Sequence, residues 1–136
     1  GGRGIGRAIA HALTAAGARV PVTGRSEGPL IETVAAGDAE GYCAVDAMEE
    51  TGVLHGFRQA AAARGPIDIL VANAGAAESA PFLKADSAMF RRMIDLNLMG
   101  VVHAARAVLP DMLTQGHGRI IAVASTAGIK GYAYVS

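Results

Sequence analysis

Apolar runs of strand length alternate with helix-length segments along the whole chain, and this pattern limits the fold more than any other feature. The two clearest runs are "IDILVANAG" (Ile67 to Gly75) and "GRIIAVAS" (Gly118 to Ser125). Nearly continuous apolar strands are expected where a parallel sheet is covered on both faces. Shorter strands are read at "ARVPVTG" (Ala18 to Gly24), where Pro21 suits an edge, and at "EGYCAVD" (Glu40 to Asp46). Helices fill the intervals. In the first, Ile5, Ile9 and Leu13 recur at helical spacing beside Ala8, Ala12 and Ala16, and Gly17 marks its end. "GPLIETVAAG" and "EETGVLHGFRQAAAARG" follow, the latter stopped by Gly65 and Pro66. One long helix is predicted from Ser87 to about Gln115, capped by Asp86 or Ser87. The pattern predicts a doubly wound, Rossmann-like α/β fold with a parallel sheet, as a single domain over residues 1–136.

Composition removes several function classes. Hydrophobic residues make up 51% of the chain, so a packed core is expected rather than disorder. The 12 basic and 12 acidic residues cancel, so the chain lacks the electrostatic footprint of a nucleic-acid or anionic-membrane binder. No apolar run approaches the roughly 20 residues of a membrane span. Cys43 has no partner for an internal disulfide, which suits a reducing cytoplasm. The four histidines share no metal-ligand spacing with one another or with Cys43, so no metal is expected.

The opening "GGRGIG" lies just before a helix. Glycines there let a ligand approach the backbone, and the free N–H groups of a helix start favour a phosphate. A tight turn with no ligand explains the same residues. The strand after this helix ends at Gly24-Arg25-Ser26, where a dinucleotide fold needs a group for the adenosine ribose. A guanidinium there suits a 2′-phosphate, and Arg3 in the glycine turn can add a second positive charge. The pair favours NADP over NAD, unless both are simply solvated surface arginines.

Together these stretches resemble the short-chain dehydrogenase/reductases. "GGRGIG" is similar to the end of that family's T-G-x-x-x-G-x-G turn, with Gly4 and Gly6 as its last two glycines. "VD" at Val45 and Asp46 resembles its adenine-contacting Asp. "ANAG" from Ala72 to Gly75 is similar to its N-N-A-G, with Ala72 replacing the first Asn. "DLNLMG" resembles the helix segment bearing its catalytic Asn, here Asn97, and "GRIIAVASTAG" the strand leading to its catalytic Ser, here Ser125. The resemblance implies a cofactor-binding set of Arg3, Gly4, Ile5, Gly6, Arg25, Ser26, Asp46, Ala47, Asn73, Ala74 and Gly75. It implies hydride transfer between a nicotinamide and a carbonyl or secondary-alcohol substrate, with 3-oxoacyl thioesters among the candidates. In that setting Ser125 orients the substrate oxygen and Asn97 positions a water. Each also has a local explanation: Ser125 as a hydroxyl bonded to nearby backbone, Asn97 as a polar residue at a helix kink.

The family's Tyr-x-x-x-Lys pair would fall just beyond Ser136, and no tyrosine of this chain has a lysine four residues later. Tyr132 and Tyr134 are read as loop residues before the active-site helix. A first strand should precede the glycine turn and fill the sheet centre, between the strands at Ala18 and Ile67. The natural polypeptide is therefore expected to be longer at both ends, with its C-terminal strands also missing here, and this piece alone is expected to be inactive. A non-catalytic dinucleotide-binding or regulatory module on the same fold is the alternative. The long helix is apolar over more than one stripe, from Met89 and Phe90 to Leu109, so a homo-oligomer, dimer or tetramer, is expected for the complete protein.

Overall fold

The computed structural model describes residues 1–132. Tyr134 lies outside the described residues. Element order is α1 (Gly4–Ala15), β1 (Pro21–Gly24), α2 (Glu27–Ala35), β2 (Gly41–Ala44), α3 (Glu50–Arg64), β3 (Ile69–Ala72), α4 (Ser87–Ile94), a π-helical turn (Asp95–Met99), α5 (Gly100–Gln115) and β4 (Arg119–Ala122). Short 3₁₀ turns cover Phe82–Lys84 and Thr126–Gly128. The strict alternation read from the sequence is present, and the chain has an α/β Rossmann-like fold. No helix among the described residues is long and apolar enough to cross a membrane.

Both strand pairs are parallel. β1 lies on β2 in the register Pro21 to Gly41 through Gly24 to Ala44. β3 lies on β4 from Ile69 opposite Arg119 to Ala72 opposite Ala122. Among the described residues the two pairs do not hydrogen-bond to each other, as expected for a sheet without its central strand. Pro21 opens β1, the strand position where a missing N–H costs least.

The core is correspondingly in two parts. Ala10 of α1, Val22 of β1, Leu30 of α2 and Ala39 pack together, with Val20, Val34 and Tyr42 around them. Leu70 of β3, Val108 and Met112 of α5 form the second cluster, flanked by Phe57 of α3. Asp38 ties α1 to the loop before β2: its carboxylate accepts from Arg7 Nε at 2.6 Å and lies 2.8 Å from His11 Nδ1, while its carbonyl accepts from Thr14 Oγ1.

Two expectations are corrected. The single long helix is interrupted by five residues of π-helix, although Asp86, one of the two caps expected for it, does cap its start by accepting from the Met89 N–H at 2.7 Å. β4 has the apolar sequence of a strand covered on both faces, yet Ile120 and Ile121 are 43% and 49% exposed. Apolar composition records what a strand can be packed against, and the described elements leave close to half of these two side chains open.

Candidate cofactor cleft

Gly4 adopts φ +51, a left-handed conformation that turns the extended Arg3 directly into α1. Gly6, one turn in, is buried against β3: a Cβ there would come within 2.8 Å of the Asn73 side-chain nitrogen. These small residues bring the start of α1 up to the C-terminal ends of the strands. A cleft of about 330 Å³ opens at that edge. It is lined by Arg3 from the glycine turn, Gly24, Arg25 and Ser26 after β1, Asp46 and Ala47 after β2, and Asn73, Ala74 and Gly75 after β3. Ligands of open α/β sheets bind at this edge of the strands.

Eight of the eleven cofactor-binding residues read from the sequence therefore line one cleft: Arg3, Arg25, Ser26, Asp46, Ala47, Asn73, Ala74 and Gly75. Gly4, Ile5 and Gly6 do not. Ile5 is 67% exposed on α1, and the two glycines shape the approach of the helix. Among the described residues neither Arg3 nor Arg25 is in an ion pair, so two guanidinium groups border the cleft without a carboxylate partner. Asp46 is fixed by local geometry: one carboxylate oxygen accepts from the Met48 N–H at 3.0 Å, and its carbonyl accepts from Glu49 N–H at 3.1 Å. The other carboxylate oxygen is left for a ligand. The residues thus fit a dinucleotide, with two guanidinium groups, a carboxylate acceptor and a small-residue turn after the third strand around one cleft.

Asn97 and Ser125 lie outside this lining. Asn97 sits in the π turn, where its side chain accepts from Ala76 N–H at 3.1 Å and donates to the Ala76 carbonyl at 2.9 Å. It reads both backbone groups of one residue, as a strand neighbour would. Gly75 is small of necessity, since a Cβ there would fall 2.8 Å from Asn97 Oδ1. The π turn presents Asn97 to this loop, and such turns concentrate at functional sites. Ser125 follows β4 at the same end of the sheet as Asn73, because Val123 N–H extends the ladder to the Ala72 carbonyl. Its hydroxyl accepts from Ala127 N–H at 3.2 Å and caps the turn Thr126–Gly128. The two side chains do not hydrogen-bond to each other.

Sequence reading missed the opposite wall of the cleft, formed by Leu96, Gly100, Val101 and Ala104. Gly100 carried the available signal. A glycine inside a helical run costs about 1 kcal/mol against alanine, so it points to a close approach. Here that approach is to Ala47, whose Cβ would lie 3.2 Å from a Cβ at position 100. Among the described residues no cluster of His, Cys, Asp and Glu is arranged to hold a metal.

The sequence profile of the short chain dehydrogenase family matches residues 1–136. Among curated proteins, 2-dehydro-3-deoxy-L-rhamnonate dehydrogenase (NAD(+)) of Sphingomonas sp. is 35% identical, with 96% of this chain and 53% of the relative covered. Ketoacyl reductase HetN of Nostoc sp. is also 35% identical, over 98% of this chain and 48% of the relative. Among solved structures, a gluconate 5-dehydrogenase from Burkholderia cenocepacia in complex with NADP and tartrate superposes with a TM-score of 0.91 at 30% identity. That match covers 99% of this chain and 55% of the other. The chain spans about half the length of the relatives it matches. With the alternating fold, the cleft at the strand ends and a profile match over every residue, the chain belongs to the short chain dehydrogenase family.

Proposed function

We propose that the chain is the cofactor-binding part of an NADP(H)-dependent oxidoreductase acting on a carbonyl or secondary-alcohol substrate. The observation that carries this is the pair of unpaired guanidinium groups, Arg3 and Arg25, on a cleft whose other side offers Asp46 and Asn73 to Gly75. A 2′-phosphate held by charge-assisted bonds suits that pair, whereas a carboxylate in place of Arg25 would suit the bare ribose of NAD. When bound, the nicotinamide supplies or accepts the hydride.

The chain's own residues have simpler tasks. Arg3, Arg25 and Ser26 hold the adenosine phosphate and Asp46 the adenine. Asn73 to Gly75 let the dinucleotide pass the end of β3. Ser125 orients the substrate oxygen by donating its O–H to it, while its oxygen goes on accepting from the Ala127 N–H, and Asn97 holds the facing loop in place. A 3-oxoacyl thioester is the substrate class we favour, supported by the likeness to a ketoacyl reductase. We propose self-association of the complete protein through the α4–α5 segment.

Dinucleotide affinities measured on the full-length protein test the cofactor reading. NADP(H) is expected to bind more tightly than NAD(H). Arg25→Ala is expected to weaken NADP(H) by roughly ten- to hundred-fold, about 1.5–3 kcal/mol, with little effect on NAD(H). Preference for NAD(H), unchanged by Arg25→Ala, would overturn it.

A further inference from the structure

We infer that His103 is a positioning residue for the adenine side of the cleft, acting through the carbonyl of Ala47. It is buried in α5, 7% exposed, and does not line the cleft itself. Its Nδ1 lies 3.0 Å from the Ala47 carbonyl oxygen. A carbonyl only accepts, so Nδ1 carries the proton and donates. Ala47 is a cleft residue and follows Asp46 directly.

Three residues of α5, spaced three apart and so on neighbouring turns, hold this stretch. Gly100 lets the helix approach until Ala47 is in contact. His103 takes the Ala47 carbonyl, and Arg106 reaches Glu50 Oε1 at 3.3 Å. Within the loop, Met48 N–H and Glu49 N–H then close on Asp46. The loop geometry that orients Asp46 thus continues into a bond from another helix, 56 residues away in sequence. Of these contacts the His103 bond is the part-buried one, so it carries the registration, while the exposed Arg106 pair contributes little. Removing the His103 donor leaves the part-buried Ala47 carbonyl without this partner, and the loop loses its tie to α5.

This inference rests on the cofactor reading given above, and the experiment separates the two. In the full-length protein, His103→Leu removes the donor with retained bulk. His103→Asn restores an N–H the same number of bonds from Cβ. Affinities for ADP, for nicotinamide mononucleotide and for NADP(H) are measured, together with amide exchange at Met48 and Glu49 in the ligand-free protein. Leu is expected to weaken ADP and NADP(H) about ten-fold and to speed exchange at both amides, with the mononucleotide unaffected. Asn is expected to restore both. A folded Leu variant with wild-type ADP affinity or wild-type exchange at these amides overturns the role of His103 alone. A wild type that binds neither ADP nor NADP(H) overturns the cofactor reading, and this inference with it.

Discussion

Asp38 concentrates much of what a single residue contributes to this fold. Its carboxyl is held below the ordinary carboxylate range, first by the hydrogen bond from Arg7 and next by that from His11, with burial opposing both. The sign of its linkage follows. A carboxyl that ionises more readily folded than unfolded adds stability at every pH above its unfolded value, about 3.9. That stability is lost as pH falls through the lower, folded value. Asp38→Asn should therefore unfold at lower urea than wild type at neutral pH, and the gap should narrow as pH falls below the unfolded value of about 3.9. A series of urea midpoints from neutral pH downward checks this. A gap that stays constant on acidification would mean that shape, not charge, is what Asp38 supplies. Nothing in the residue pattern warns of this cluster, because its members are separated by some 30 positions and each is unremarkable alone. Arg25, Ser26 and Asp46 were legible for the opposite reason: each follows directly from a strand end, and strand ends converge wherever strands run parallel.

At the scale of elements, strand order and helix faces were visible in the residue pattern, and the break in the long helix was not. Periodicity counts apolar residues per turn. It is blind to one extra residue in a turn that is otherwise continuous. The π turn at Asp95–Met99 changes which side chains share a face. Met89, Leu96, Gly100, His103, Val108 and Met112 are buried, while Ile94, Leu98, Leu109 and Leu113 are between 43% and 72% exposed. Phe90, expected at a subunit contact, is half-buried and meets Phe82 edge-on at 6.0 Å between ring centroids. An apolar stripe left open beside a buried one offers a face that the proposed self-association would cover. The full-length protein is expected to sediment as a dimer or tetramer at micromolar concentration. Leu98→Glu should shift it towards monomer with the fold of each chain retained, because the charge stays solvated in the separated chain. A wild type that sediments as a monomer would end the assembly proposal.

For the molecule as a whole, the gap between the two strand pairs matters most. A cavity of about 310 Å³ lies there, lined on one side by Ile9, Leu13 and Val22 and on the other by Phe57, Leu70 and Val71. β1 is paired only with β2, and β3 only with β4, so among the described residues each has an edge without a strand neighbour. Unpaired edges beside apolar walls are unfavourable in two ways: backbone groups lack partners and side chains meet water. One inserted parallel strand answers both. Burying each Val or Ile side chain is worth about 1.5–3 kcal/mol, against about 1–2 kcal/mol to order each residue's backbone. Pairing on both edges adds to that balance by giving the backbone groups their partners. A Val- and Ile-rich strand of about six residues, joined ahead of Gly1, is therefore expected to raise the urea midpoint. The m-value should rise with it, since more surface is exposed when a joined sheet unfolds. A strand of the same length with Lys at alternate positions should do neither, because one of its faces would put charge against the apolar walls. Equal midpoints for the chain with and without the apolar strand would show that the gap does not accept a strand, and that the two pairs are stable as separate sheets.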